Sequence, residues 1–267
     1  MRAMAVTLPM CSVDFMDATL SVEEQAVAER IQELKVLLGD DLLILGHHYQ
    51  RDSIVMHADF LGDSFMLSQK AAESDAKYIV FCGVHFMAES ADILTSDDQS
   101  VTLPNLRAGC SMADMATLSE VEVAWEELLR ESGLSDPIGR PNPEEPAGEN
   151  EAYLVPVTYM NSSADLKDFV GRHGGIVCTS SNAEGILTWA FERAGPEGAV
   201  LFFPDQHLGR NTGIAMGISA DRMPTWTPGI GAMGSLEQAR IVLWHGFCSV
   251  HKRFTPQQIA DFRLEHP

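Results

Sequence analysis

The segment Gly46-His47-His48-Tyr49-Gln50 sets two imidazoles and a phenol side by side. An imidazole exchanges a proton near neutral pH, and a phenol acts as acid or base once its pKa is tuned. A histidine at a strand tip is more often a fixed structural hydrogen-bonder, so the cluster alone names no reaction. Alternation along a strand sends His47 and His48 to opposite faces, which gives them separate roles. Ser64, Ser180 and Ser181 each stand where a helix should begin. There a hydroxyl, free backbone N–H groups and the helix dipole attract a carboxylate or phosphate, although each serine alone reads as a plain N-cap. Arg210, in the stretch DQHLGRN at 205–211, adds a positive charge for such an anion or a partner for a surface ion pair.

Five cysteines occur, Cys11, Cys82, Cys110, Cys178 and Cys248, with wide spacing and no C-x-x-C pair. An odd, scattered set is not a disulfide framework, and zinc-ribbon and ferredoxin spacings are absent. Cys82 and Cys178 fall within strands and read as small buried apolar side chains. Cys110 in AGCSMADM and Cys248 in HGFCSVH lie on loops with small neighbours, each after the last strand of its half. If the halves are repeats, that placement brings the two thiols to a common centre. Spacing alone names no metal.

The elements that carry these residues follow from pattern. A helix over 22–38 has a capping box in Ser21 and Glu24, an apolar face of Val27, Ile31, Leu34 and Leu38, and a stop at Gly39. LLILG at 42–46 is a buried parallel strand, helical sequence interrupted at Gly62-Asp63-Ser64 covers 53–74, and YIVFC at 78–82 is a second strand. A helix over 86–94 and a strand near 99–103 lead to Cys110. In the second half, YLVPV at 153–157, GIVC at 175–178 and AVLFF at 199–203 read as strands, with helices over 119–132 and 183–194. Ser162 with Asp165, and Ser181 with Glu184, are candidate caps. IVLW at 241–244 is a further strand, and Thr255-Pro256-Gln257-Gln258 opens a helix that runs to about 265. The halves share the order strand, polar tip, helix, strand, small-residue tip, helix, strand. They read as a duplicated α/β unit with parallel sheets, whose ligands bind at the carboxyl ends of the strands.

The domain reading is an N-terminal extension over 1–20, an αβα unit over 21–112, a second over 113–248 with a flexible Pro-, Gly- and Glu-rich loop at 136–151, and the start of a truncated third over 249–267. The net charge of −20, from 38 acidic against 18 basic side chains, argues against nucleic-acid and membrane-surface roles. No apolar run reaches the roughly 18–20 residues of a membrane span, and the N-terminus lacks a signal-peptide pattern, so the chain is read as cytoplasmic.

Eight ordered segments between 45 and 254 together resemble quinolinate synthase: LGHHYQRDSI, ADFLGDSFMLSQKAA, FCGVHFMAESADIL, AGCSMADM, TYMNSSADLKDFVGRHGG, VCTSSNA, PDQHLGRN and WHGFCSVHKRF. The resemblance implies repeated three-layer αβα domains with short parallel sheets, three of them about a pseudo-threefold axis in the intact family and about two present here. It implies a 4Fe–4S cluster held by one cysteine from each domain, with one iron open as a Lewis acid. The implied reaction joins iminoaspartate to dihydroxyacetone phosphate and loses phosphate and two waters to give quinolinate. Position by position, Cys110 and Cys248 resemble two cluster ligands. His47, Ser64, Tyr159, Asn161 and Ser180 resemble iminoaspartate contacts, Tyr49 the proton-transfer tyrosine, and His251 a further histidine near the cluster. A functional link to L-aspartate oxidase or aspartate dehydrogenase is also implied.

The third cysteine, a His-Pro-Glu-Cys motif and a Gly-Ser-Thr loop expected from the resemblance are not in this sequence. The chain alone is therefore expected to bind the cluster poorly and turn over little. Two other readings stay open: a metal-dependent phosphate-handling hydrolase using His47, His48, Asp205 and His207, and a non-catalytic fragment that binds an anion or partner.

Overall fold

Four parallel strands form the first sheet, in the order β2-β1-β3-β4. The structure is a computed structural model that describes residues 20–140, 142 and 145–266. The expected N-terminal extension, with Cys11, lies almost wholly outside the described residues, as does part of the 136–151 loop. The chain divides into two compact units. One runs up to Gly83 and includes Leu94–Pro104; the other takes Val84–Ile93 and the chain from Asn105 onward. Cys110 and Cys248 thus belong to the same compact unit.

In the first unit, α1 (Val22–Leu38) starts at a capping box in which Glu24 N–H donates to Ser21 Oγ at 3.2 Å and Ser21 N–H to Glu24 Oε2 at 2.8 Å. Its expected apolar face is only partly covered, with Ile31, Leu34 and Leu38 half-buried and Val27 exposed. β1 (Leu42–His47) leads through the single turn α2 (Asp52–Val55) to β2 (Phe60–Gly62). The 53–74 stretch is therefore not helical with one break, because a strand interrupts it. Phe60–Gly62 pairs with Leu45–His47, and three residues are too few to show a strand period in sequence. α3 (Ser64–Ala72), β3 (Tyr78–Cys82) and β4 (Ser100–Thr102) complete the first unit, while the intervening α4 (His85–Leu94) falls almost wholly in the second unit.

The second unit holds α5 (Leu118–Ser132), β5 (Leu154–Tyr159), α6 (Ala164–Arg172), β6 (Ile176–Cys178), α7 (Ala183–Ala194), β7 (Ala199–Phe203) and α8 (Gln206–Ala215). These are followed by β8 (Thr225–Thr227), β9 (Gly231–Met233), β10 (Ile241–Trp244) and α9 (Pro256–Glu265). Its sheet has the order β6-β5-β7-β10-β8-β9, parallel except for the β8–β9 hairpin. That hairpin, set among Pro and Gly, was not anticipated. With the β8–β9 hairpin set aside as an insertion before β10, the first four positions repeat the second-first-third-fourth order of the first unit, as a duplication requires. The repeat is registered differently from the sequence pattern, however. YIVFC of β3 corresponds to AVLFF of β7, and the short β2 corresponds to GIVC of β6.

Alternation along these strands builds a three-layer unit. Leu154, Leu201, Phe203, Val242 and Trp244 cluster with Val121, Trp125 and Leu128 of α5 and with Leu166 and Phe169 of α6. The intervening Val155, Val200, Phe202, Ile241 and Leu243 cluster with Leu187, Ala190 and Ala194 of α7. Each large aliphatic side chain fully buried in this way contributes about 1.5–3 kcal/mol. Gly209 lets α8 approach the sheet, since a Cβ there would stand 2.7 Å from Leu243 Cδ2 and 2.8 Å from Phe202 Cδ1. Among the described residues no helix is long and apolar enough to cross a membrane.

One polar joint sits beside the α5–α6 core. Asp136 accepts from Trp125 Nε1 at 2.8 Å and from Ile138 N–H at 2.9 Å, and lies 2.7 Å from His173 Nδ1. Burial pushes the Asp136 carboxyl up, but the hydrogen bonds from His173, Ile138 and Trp125 outweigh it and hold its pKa below the usual value. A carboxylate depressed on folding adds stability above its unfolded pKa and loses it as pH falls through the folded one. Asp136→Asn should therefore cost about 1–3 kcal/mol at pH 7, with the deficit shrinking below about pH 4. Urea denaturation across pH checks this, and equal stability at pH 7 would contradict it.

Candidate functional site

In the first unit the polar tip follows β1. The strand ends at His47, and the chain turns at once, with His48 N–H donating to Gly62 O at 3.2 Å and Gln50 N–H to His47 O at 2.9 Å. The alternation that would separate His47 from His48 thus stops one residue early. Instead their rings stack at 4.4 Å, and Tyr49 packs against both at 4.7 and 4.6 Å. His47 is buried while Tyr49 is 75% exposed. His47 Nδ1 accepts from Tyr49 N–H at 3.3 Å, so the neutral ring carries its hydrogen on Nε2 and can donate from there. Burial, and then the neighbouring His48, push the His47 pKa down to about 4, against the opposing pull of Asp63.

Ser64 opens α3, but the cap is Asp63, whose carboxylate accepts from Phe65 and Met66 N–H at 2.9 Å each. The helix end is already matched by a negative charge, and the Ser64 hydroxyl is not spent on capping.

In the second unit the tips of β5, β6 and β7 surround a cavity of about 410 Å³. Tyr159, Ser180 and His251 all line it. His207, Asn211 and Lys252 line it too and were not assigned to this site from sequence. The i, i+4 spacing of His207 and Asn211 on α8, after the N-cap Asp205, was the signal available. Asp205 is buried and accepts from Leu208 N–H at 2.7 Å. The box expected from Ser181 and Glu184 does not form. The N-cap of α7 is Asn182, whose side chain turns back to accept from Thr179 N–H at 2.7 Å, and Ser181 lies outside the helix. Likewise the N-cap of α6 is Ser163, while Ser162 Oγ donates to Tyr159 O at 2.9 Å. Arg210 donates to Gln206 Oε1 at 3.1 Å and Thr225 Oγ1 at 2.9 Å and so pins α8 to β8.

The two loop cysteines converge through their neighbours. Ser111 Oγ and Ser249 Oγ stand 3.3 Å apart. Trp244 Nε1 donates to Met115 O at 2.7 Å, and Phe247 N–H meets Met115 Sδ at 3.2 Å. Gly246 admits the close passage, since a Cβ there would collide with the Pro204 carbonyl oxygen. Cys110 and Cys248 are both half-buried free thiols, and Asn161 Nδ2 donates to Cys110 Sγ at 3.9 Å. Burial instead raises the pKa of Cys82, and that of buried Cys178 is pushed up to about 12, which keeps both as thiols. Two accessible sulfur donors on adjoined loops suit a thiophilic metal such as iron. Among the described residues no group of three His, Cys, Asp or Glu is gathered to hold a metal ion.

A histidine with a depressed folded pKa loses stability as pH falls from its unfolded value toward the folded one, here from about 6.5 to 4. An NMR titration should therefore find the His47 ring uncharged at pH 6, with the proton on Nε2. A midpoint near 6.5 would contradict this.

The family model described as Quinolinate synthetase A protein matches residues 29–267. The chain is 58% identical over 243 residues to a quinolinate synthase of Corynebacterium glutamicum, covering 89% of this chain and 57% of that protein. It is 51% identical over 253 residues to a quinolinate synthase of Nocardioides sp., covering 91% and 60%. With a quinolinate synthase of Acidobacterium capsulatum the identity is 49% over 261 residues, covering 96% and 64%. The chain spans about three fifths of the length of these relatives.

Proposed function

The chain belongs to the Quinolinate synthetase A protein family, and from that premise we propose that it forms part of an enzyme condensing iminoaspartate with dihydroxyacetone phosphate. The products are quinolinate, phosphate and two waters. The observation that carries this reading is the 3.3 Å contact between Ser111 and Ser249, which draws together the loops of Cys110 and Cys248. These two thiolates would supply two of the three protein ligands of a 4Fe–4S cluster. When bound, a cluster with one iron free of protein ligands supplies a Lewis acid that polarises a substrate oxygen as water is lost.

The chain's own residues hold and orient the dicarboxylate. His47, kept neutral by burial, donates from Nε2 without bringing a charge. Ser64, Tyr159 and Ser180 offer hydroxyls and Asn161 an amide, all neutral donors whose strength does not change with pH near neutrality. Tyr49, with its exposed phenol, is the proton-transfer group. Lys252 offers a positive charge against the overall charge of −20, in a cavity also lined by His207, His251 and the buried Asp205. Iminoaspartate is an imine that water destroys, so L-aspartate oxidase or aspartate dehydrogenase would supply it nearby. Free thiols as ligands fit a reducing, cytoplasmic setting.

Anaerobic reconstitution of the chain with iron, sulfide and an external thiol tests the ligand assignment. Iron bound per chain should fall by about fivefold or more in Cys110→Ala and in Cys248→Ala, and stay level in Cys82→Ser. Equal iron in all four samples would overturn the reading.

A further inference from the structure

We propose that Lys167 is a positioning residue of this site, clamping the turn after β5 so that the Asn161 amide is held against Cys110; the role rests on the site reading above. Lys167 lies within α6 and donates to Ser162 O at 2.7 Å and to Ser90 Oγ at 3.0 Å. Ser90 is itself tied down, donating from Oγ to Phe86 O at 2.7 Å on α4. The ammonium also faces the Phe86 ring at 5.5 Å. A second strap runs beside it, from Ala164 N–H to Glu89 Oε2 at 3.3 Å. Helix α4 is thereby joined to the start of α6 and to the turn that precedes it.

Stability alone is a poor reason for this arrangement. Both hydrogen-bond partners are neutral and buried, and burial drives the amine's pKa down to about 8, with Glu89 pulling it back up. A buried charge held this way is commonly replaceable by an apolar side chain at little cost or with a gain. The clamp gives position instead. The turn is held at its ends by Met160 N–H to Cys178 O at 2.8 Å and Ser162 Oγ to Tyr159 O at 2.9 Å, and Lys167 fixes the Ser162 carbonyl between them. Asn161 reaches Cys110 Sγ from this turn at 3.9 Å, a length at which a small displacement ends the contact.

The test follows alkylation of Cys110 by mass spectrometry in the reduced 267-residue chain, with Cys248 in the same sample as internal control. Lys167→Met should speed Cys110 alkylation about fivefold, leave Cys248 unchanged, and be largely rescued by Lys167→Arg. In an Asn161→Ala background the Lys167→Met change should add nothing further, because the lysine acts through Asn161. Should Lys167→Met fail to fold, Ser90→Ala removes one arm of the clamp and should give a rise of about two- to threefold under the same control. An unchanged Cys110 rate, a rise shared by Cys248, or additive effects in the double variant would each overturn the proposal. Alkylation needs neither cluster nor turnover. A failure here leaves the synthase reading standing, and loss of that reading leaves this result to be judged separately.

Discussion

Trp244 is wholly buried at the end of β10, and a buried indole N–H must find an acceptor. It finds Met115 O at 2.7 Å, on the loop that follows Cys110. This one bond ties the end of the sheet to a loop more than a hundred residues earlier in the chain. Around it Phe247 meets Met115 Sδ, Ser111 meets Ser249, and Gly246 passes close to Pro204. Removing the indole acceptor would leave a buried donor unpaired at a cost of about 1–3 kcal/mol and would free the two cysteine loops from each other. Core packing and site assembly are therefore one constraint here.

The candidate site residues lie at strand tips, His47 and Ser64 with the first sheet and Tyr159 and Ser180 with the second. The side chains there are mostly neutral donors: a histidine held uncharged by burial, serine and tyrosine hydroxyls, and an asparagine amide. Lys252 lines the second unit's cavity together with His207, His251 and the buried Asp205. Arg210, the guanidinium within the same motif, is spent on the scaffold.

Strong patterns were legible in the sequence. The five-residue runs of β3 and β7, the capping boxes at Ser21 and Thr255, and the bounds of α7 follow from period and cap chemistry. Three-residue strands were not, because β2, β8 and β9 are too short to show alternation, and missing β2 displaced the register of the repeat. Ser181 resembles a cap locally, yet Asn182 takes that position with its side chain turned back to Thr179. The meeting of the Cys110 and Cys248 loops was readable only through the repeat. The cavity roles of His207, Asn211 and Lys252 depend on how α8 and the loop after β10 pack, which no local pattern carries.

The central claim is that Cys110 and Cys248 face a common centre. A short bifunctional thiol reagent added to the reduced, metal-free chain, followed by peptide mapping, tests it most directly. The account predicts a Cys110–Cys248 cross-link as the main product, lost when Trp244→Ala breaks the bond to Met115. A cross-link of either cysteine to Cys82 in its place, or no Cys110–Cys248 product from a folded chain, would contradict it.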